Sequence, residues 1–330
     1  MQYLAEIKSK LAELRDKSQK GLIFESLGEL MTAIKDDVSY EKASPVILPD
    51  GGAEALEVIE SYQEQWSHDK EGLHRHVIAD EDLPLLLNQL ASPQPKYRDT
   101  GAFFFLGGAV QNGHLTTDQM SWLTSEMVRD DQLFAHLLES QNQAAYQRSY
   151  SLALLALLLN ENRIAEKPFV SKKLLDHIVD QVALIALMEA DTRGFVDQKG
   201  WVHIFTHLSN VLNELFHINT LSRADKIFLM AALMANFRSL STPLTMGEVT
   251  RIITTFMDLI KRHDIYAEYF LTNLKLWRKD IVNEPFVQTR QRWQQMYNRM
   301  QFFHEIIVCG EKEVPAAIMS YVLTTKNYLS

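Results

Sequence analysis

The sequence is poor in the residues that make turns, cross-links and charged tracts. It holds 13 glycines and 9 prolines in 330 residues. An all-β chain would need a turn every 8–12 residues or so and many more such punctuators. One cysteine, Cys309, excludes an intrachain disulfide and a thiolate zinc site. A lone cysteine fits a reducing cytoplasm, and with no partner motif around it Cys309 reads as a small residue near a helix end rather than a nucleophile. The longest apolar stretch, residues 152–159, is well short of the roughly 20 residues that span a bilayer. The N-terminal stretch carries Glu6 and Glu13 and no apolar run, so it does not read as a signal peptide. The expectation is a cytoplasmic protein with no membrane partner. A basic excess is missing too: the formal net charge is −9 and the sequence pI about 5.7. Phosphate backbones need Lys and Arg to displace their counterions, so no nucleic-acid partner is expected. The glycine-rich signatures of hydrolases, phosphate loops and dinucleotide sites are absent, and no cofactor is expected.

What is present is helical periodicity. Leu4, Ile7, Leu11 and Leu14 recur at three and four residues and build one apolar stripe. The clearest break is residues 36–52, with Pro45, Pro49 and the run Asp50-Gly51-Gly52. It divides the chain into an N-terminal helical segment and linker, 1–50, and a helical-repeat domain, 51–330. Helices are expected over 53–66, 80–90, 96–111, 131–138, 143–160, 171–190, 201–216, 222–240, 249–261, 265–277 and 286–307, with a last one near 316–323. Thr116 and Gln119 have the spacing of a capping box, as do Thr245 and Glu248. Gly107-Gly108 reads as a close helix contact. The segment 150–159 is apolar on all sides and is expected to be buried between neighbours. The fold class is all-α: antiparallel helix pairs stacked as an irregular HEAT-like α-solenoid, or alternatively an α-helical bundle.

One stretch interrupts the apolar helices with dense polarity. Residues 189–210 contain Glu189, Asp191, Arg193, Gly194, Lys199, Gly200, Trp201, His203, His207 and Asn210. The glycines imply a loop. On a following helix His203, His207 and Asn210, at i, i+4 and i+7, would share one face. Two readings stay open. In one the cluster is a ligand site, with Arg193 or Lys199 holding an anionic group, Trp201 a stacking surface, and a histidine acting as base. A metal set of His203, His207 and Asp191 is a further alternative. In the other, the same side chains are glue between helices. Other mixed segments are weaker. His74 and His76 beside Asp80, Glu81 and Asp82 read as a solvated helix end. Arg290, Arg292, Trp293, Tyr297 and Arg299 interleave basic and aromatic residues, but Trp293, Met296, Met300 and Phe303 fit a core-facing stripe.

The run Glu189-x-Asp191-x-Arg193-Gly194-Phe195-Val196-x-x-Lys199-Gly200-Trp201-x-His203-x-x-x-His207 resembles a bacterial family known as domain of unknown function 2785. Tyr97-Arg98-Asp99 resembles its L-R-D element, and Arg148-Ser149-Tyr150-Ser151 its R-S-F-S element. The resemblance covers roughly residues 83–240. It implies a helical-repeat fold in a cytoplasmic bacterial protein and places Arg148 with the candidate ligand-binding residues. It implies no activity. The acid that follows the second histidine in the family falls on Asn210, a poor replacement for a carboxylate ligand. Function is therefore left between a binding or scaffold protein, for a protein or small-molecule partner, and a small-ligand or metal-binding enzyme with its site around 189–210.

Overall fold

The computed structural model describes residues 2–68, 76–283 and 288–325. The chain is all-α; among the described residues the only strands are two short ones that form a hairpin, Phe195–Val196 and Gly200–Trp201. No described helix is long and apolar enough to cross a membrane. The chain divides into two compact units. Unit 1 takes residues 1–40, 179–192 and 215–330; unit 2 takes 41–178 and 193–214. The unit boundary at residues 40/41 thus falls inside the proline- and glycine-marked break at 36–52, and residues 1–40 cluster with the C-terminal half of the chain.

Unit 2 is organised around the helix Ala144–Ile164, on which Phe104–Gln111, Thr117–Met127, Asp130–Leu133 and the short turn Gln89–Ala91 all pack. Its middle is greasy on every side, and Leu152, Leu154, Leu155, Leu158 and Leu159 are all fully buried. Each such side chain contributes about 1.5–3 kcal/mol from leaving water. Gly107 faces this helix closely: a Cβ there would lie 3.1 Å from Leu157 Cδ1. The capping box at Thr116 forms, with Thr116 Oγ1 accepting from Gln119 N and Gln119 Oε1 accepting from Thr116 N.

The helix expected over 96–111 is broken. Pro95–Tyr97 is a single turn, Arg98–Phe103 is a widened π-type turn in which Gly101 leaves helical geometry, and regular helix resumes at Phe104. The departure centres on Gly101, whose ψ of −107° breaks the helical ladder and which glycine's backbone freedom permits, while Arg98 in the same turn donates to the carbonyls of Ser92 and Lys199. Such widened turns are uncommon and cluster at functional positions.

In unit 1, Leu27–Asp36 packs on Arg223–Ser239, as does Gln2–Gln19. The long-range contact is fixed by Arg15, which donates to Asp225 at 2.7 Å and Asp180 at 2.8 Å. Buried Asn236 donates to the carbonyls of Ala186 and Glu189, capping the end of Lys172–Met188. The second expected capping box does not form. The helix begins at Glu248 after Gly247, which takes a left-handed φ of 91°, and Glu248 reaches back to Met246 N instead of Thr245.

Candidate functional site

Three segments far apart in sequence meet in unit 2, and Arg98 joins them. Its side chain is 0% exposed. Nε and Nη2 donate to the two oxygens of Asp99 (2.7 and 3.1 Å), Nη1 to the carbonyl of Ser92 (2.8 Å) and Nη2 to the carbonyl of Lys199 (2.8 Å). The rings of Tyr146 and Tyr150 lie 4.3 and 4.7 Å from its central carbon. A buried cation survives only when it is paired and hydrogen-bonded, and Arg98 is both.

The Lys199 carbonyl belongs to the hairpin. Gln198 and Gly200 take positive φ values of 62° and 74°, and Lys199 N closes the turn on the Val196 carbonyl. Gly200 is required twice over. A Cβ at this left-handed position would also lie 2.9 Å from Arg98 Nη2, 3.0 Å from Pro95 Cγ and 3.2 Å from Asp99 Oδ2. Val202, just after the hairpin, packs with Ala145, Tyr146 and Val196 in a small core.

The expected helix over 201–216 therefore starts later, at Ile204. His203 stands at its N-cap. Its carbonyl accepts from Thr206 N and His207 N, its own N–H bonds the Arg193 carbonyl, and its φ is 49°. A left-handed histidine is strained relative to glycine or asparagine there. Because His203 precedes the helix, it reaches His207 by its position at the cap rather than by a shared helix face. Its ring lies 4.1 Å from Trp201 and 6.5 Å from His207, edge-on to the latter.

The protonation of His207 follows from its partners. Nδ1 lies 3.0 Å from the Ser149 carbonyl, which can only accept, and 2.8 Å from Ser149 Oγ. The Ser149 hydroxyl donates to the Val202 carbonyl. Nδ1 therefore carries the hydrogen, and Nε2 keeps its lone pair. Burial, the neighbouring His203 and the Arg98 charge push the imidazole down to about 4, against a smaller opposing effect of the Ser149 hydrogen bond. Tyr150 is pushed up by burial, with Asp99 adding to the shift and Arg98 opposing it.

This tautomer decides the chemistry. Ser149 and His207 are not a nucleophile–base pair, since the serine proton is committed to a carbonyl and Nδ1 donates. A neutral imidazole with a value near 4 is also a poor general base at neutral pH. What the arrangement presents is a row of rings: Phe195, Trp201, His203, His207, Tyr150, Phe103 and Phe104, with successive centroids 4.1–6.5 Å apart. Phe195, Trp201 and Phe104 are 49%, 39% and 63% exposed. In the middle of the row lies the acceptor Nε2 of His207.

The other sequence candidates fall in different places. Arg193 donates to the Asn142 carbonyl at 2.5 Å and Arg148 to the Ala135 carbonyl at 2.6 Å. Both hold loops of unit 2. Lys199 is half-buried and contributes its carbonyl to Arg98, and Asn210 lies on the following helix, half-buried. Glu189 and Asp191 belong to unit 1. Glu189 Oε1 accepts from the amides of Ala190 and Asp191, which tightens the turn after Lys172–Met188. Among the described residues no group of three or more His, Cys, Asp and Glu side chains could hold a metal ion. His74 lies outside the described residues. The carbonyl of His76 accepts from the Trp66 indole at 3.2 Å, a structural role.

Sequence reasoning gave Arg98, Ser149 and Tyr150 no chemical role, although each lies in an element singled out by resemblance. It missed Lys35 altogether. Lys35 is buried in unit 1 against Tyr40, and burial pushes its amine down to about 7, with the Glu189 and Asp36 charges opposing.

A family model described as "Protein of unknown function (DUF2785)" matches residues 133–308, more than half of the chain. The match takes in the Arg148–Ser151 and 189–207 elements and runs on to 308. Tyr97-Arg98-Asp99 lies before it. No curated protein and no solved structure matches the chain. The chain belongs to the DUF2785 family.

Proposed function

We propose that this member of the family is a binding protein whose recognition surface is the aromatic row on the hairpin and helix start of residues 195–207. The carrying observation is the division of labour around Arg98. Arg98, Asp99, Ser149 and Gly200 are consumed in holding the hairpin. Phe195 and Trp201 stay exposed, Trp201 stacks on the half-buried His203, and His203 leads to one neutral acceptor, His207 Nε2. The two sequence readings are thus divided between two layers of side chains. The chemistry fits a ligand with flat apolar faces and a hydrogen-bond donor between them, such as a heteroaromatic or an aromatic peptide side chain. The strained φ of His203 supports a role for its ring, because glycine would relieve the strain and remove the stack. A binding rather than catalytic role is supported by the low value of His207 and by the commitment of the Ser149 proton. Helix-on-helix packing inside each unit supports the HEAT-like reading of the architecture, and the single cysteine supports a reducing, cytoplasmic location.

The test is a fragment panel of nucleosides, aromatic amino acids and indoles, read by Trp fluorescence on the full chain. A saturable change that disappears in Trp201→Phe and weakens at least tenfold in His203→Ala, with unfolding midpoints unchanged, is expected. No saturable response at millimolar concentrations, or one indifferent to Trp201→Phe, overturns the reading.

A further inference from the structure

The helix Arg290–Cys309 was expected to bury Trp293, Met296, Met300 and Phe303. Instead Trp293 is 47% exposed, and the buried face is Asn298, Arg299, Phe302, Phe303 and Ile306. Arg299 is only 1% exposed, yet its Nε and Nη1 have no hydrogen-bond partner. Its central carbon lies 4.2 Å from the ring of Phe303 and 6.0 Å from that of Trp277. Aromatic faces attract the cation but offer no oxygen to the N–H donors. Asn298, next to it in sequence, is already committed to the carbonyls of Leu240 and Thr242. The charged neighbour acting on Arg299 is another cation, Arg278, and the Tyr321 hydroxyl lies with them, donating to the Leu274 carbonyl. All of these residues belong to unit 1.

A buried guanidinium beside a second one, with two donors unmet and among the described residues no carboxylate in an ion pair with it, is an arrangement that water-free protein does not tolerate unaided. Arg15 and Arg98 offer a contrast: both are buried too, and their nitrogens reach carboxylates. We infer that Arg299, Arg278 and Tyr321 form a binding site for a small oxyanion, a phosphate or carboxylate group whose oxygens take the in-plane N–H donors of Arg299. Arginine's fork matches such planar or tetrahedral oxyanions, and the pair of cations supplies the charge. Arg299 is held by packing on Phe303 and Trp277 with its donors already desolvated, so little ordering remains for the anion to impose.

The test titrates inorganic phosphate, and separately acetate, into the full chain against chloride at constant ionic strength, and follows thermal unfolding. Saturating phosphate is expected to raise the midpoint by about 3 °C or more. A response to phosphate alone assigns the site to phosphate groups, and a response to both assigns it to oxyanions in general. Arg278→Gln, at a half-buried position, is expected to keep the fold and lose the response at least tenfold in apparent affinity. Arg299→Met distinguishes a site from a packing defect. Under the proposal it is insensitive to phosphate and no less stable than the wild type without anion. No midpoint shift with either anion, or a shift that survives in both variants, overturns the proposal.

Discussion

Replacing Gly200 by alanine tests whether the hairpin is docked on Arg98. The position takes φ 74°, so a Cβ costs about 1–2 kcal/mol from left-handed strain alone. The Cβ would also enter contacts of 2.9, 3.0 and 3.2 Å with Arg98 Nη2, Pro95 Cγ and Asp99 Oδ2. Arg98 cannot swing away cheaply. Four hydrogen bonds and two tyrosine rings hold it, and moving it breaks its bond to the Lys199 carbonyl. Overpacking of that kind adds about 1–3 kcal/mol, for a total of about 2–5 kcal/mol. The control is Gly247→Ala, where φ is 91° and no atom lies within 4 Å of the added Cβ. It should show the strain alone. Urea unfolding followed by circular dichroism gives both differences. Equal losses in the two variants, within about 0.5 kcal/mol, would refute the docking of the hairpin on Arg98.

Further outcomes follow from the same geometry. Ser149→Ala removes the acceptor at 2.8 Å from His207 Nδ1 and the donor to Val202. It should cost about 1–3 kcal/mol, measured by urea unfolding, with the Nδ1–H tautomer retained through the Ser149 carbonyl. Nitrogen NMR of His207 should show no protonation between pH 5.5 and 8, since its value is lowered to about 4; a midpoint near 6.5 contradicts the site geometry. The unfolded chain takes up this proton first, so the stability His207 contributes is present above about 6.5 and lost as pH falls toward 4. Lys35, lowered to about 7 from 10.5, works over a different window. Between those values the unfolded chain binds the extra proton, so stability rises with pH, by up to about 5 kcal/mol. Lys35→Met should flatten that rise in urea melts at pH 7 and 9.5, and an unchanged slope argues against the buried amine.

Apolar spacing made the helices legible. The buried Leu152–Leu159 stretch and the capping box at Thr116 follow from residue types a few positions apart. The breaks at Arg98 and Trp201 were not legible, because the bonds that go with them are made across the chain. The widened turn that carries Arg98 places its guanidinium on the carbonyls of Ser92 and Lys199, the latter 101 residues away. The glycines at 194 and 200 signalled a loop, but a two-residue strand on each side leaves too short a pattern for period-two alternation to register. The candidate site was legible as a place and not as a set of roles. Trp201, His203 and His207 do come together, while Arg148 and Arg193 turn to loop carbonyls. Arg299 was read as part of a basic-aromatic face because a charged side chain in sequence looks solvated, and only its packing on Phe303 reveals otherwise.

The anchoring of the hairpin by Arg98 makes the proposed recognition conditional on the integrity of unit 2. A synthetic peptide of residues 193–207 contains the exposed rings Phe195 and Trp201 of the aromatic row but lacks the guanidinium, the Ser149 clamp and the small core under Val202. Contacts of such wide sequence separation form only after their loops close. The turn cannot be transplanted as a linear epitope, and any ligand that binds it will sense whether this unit is folded.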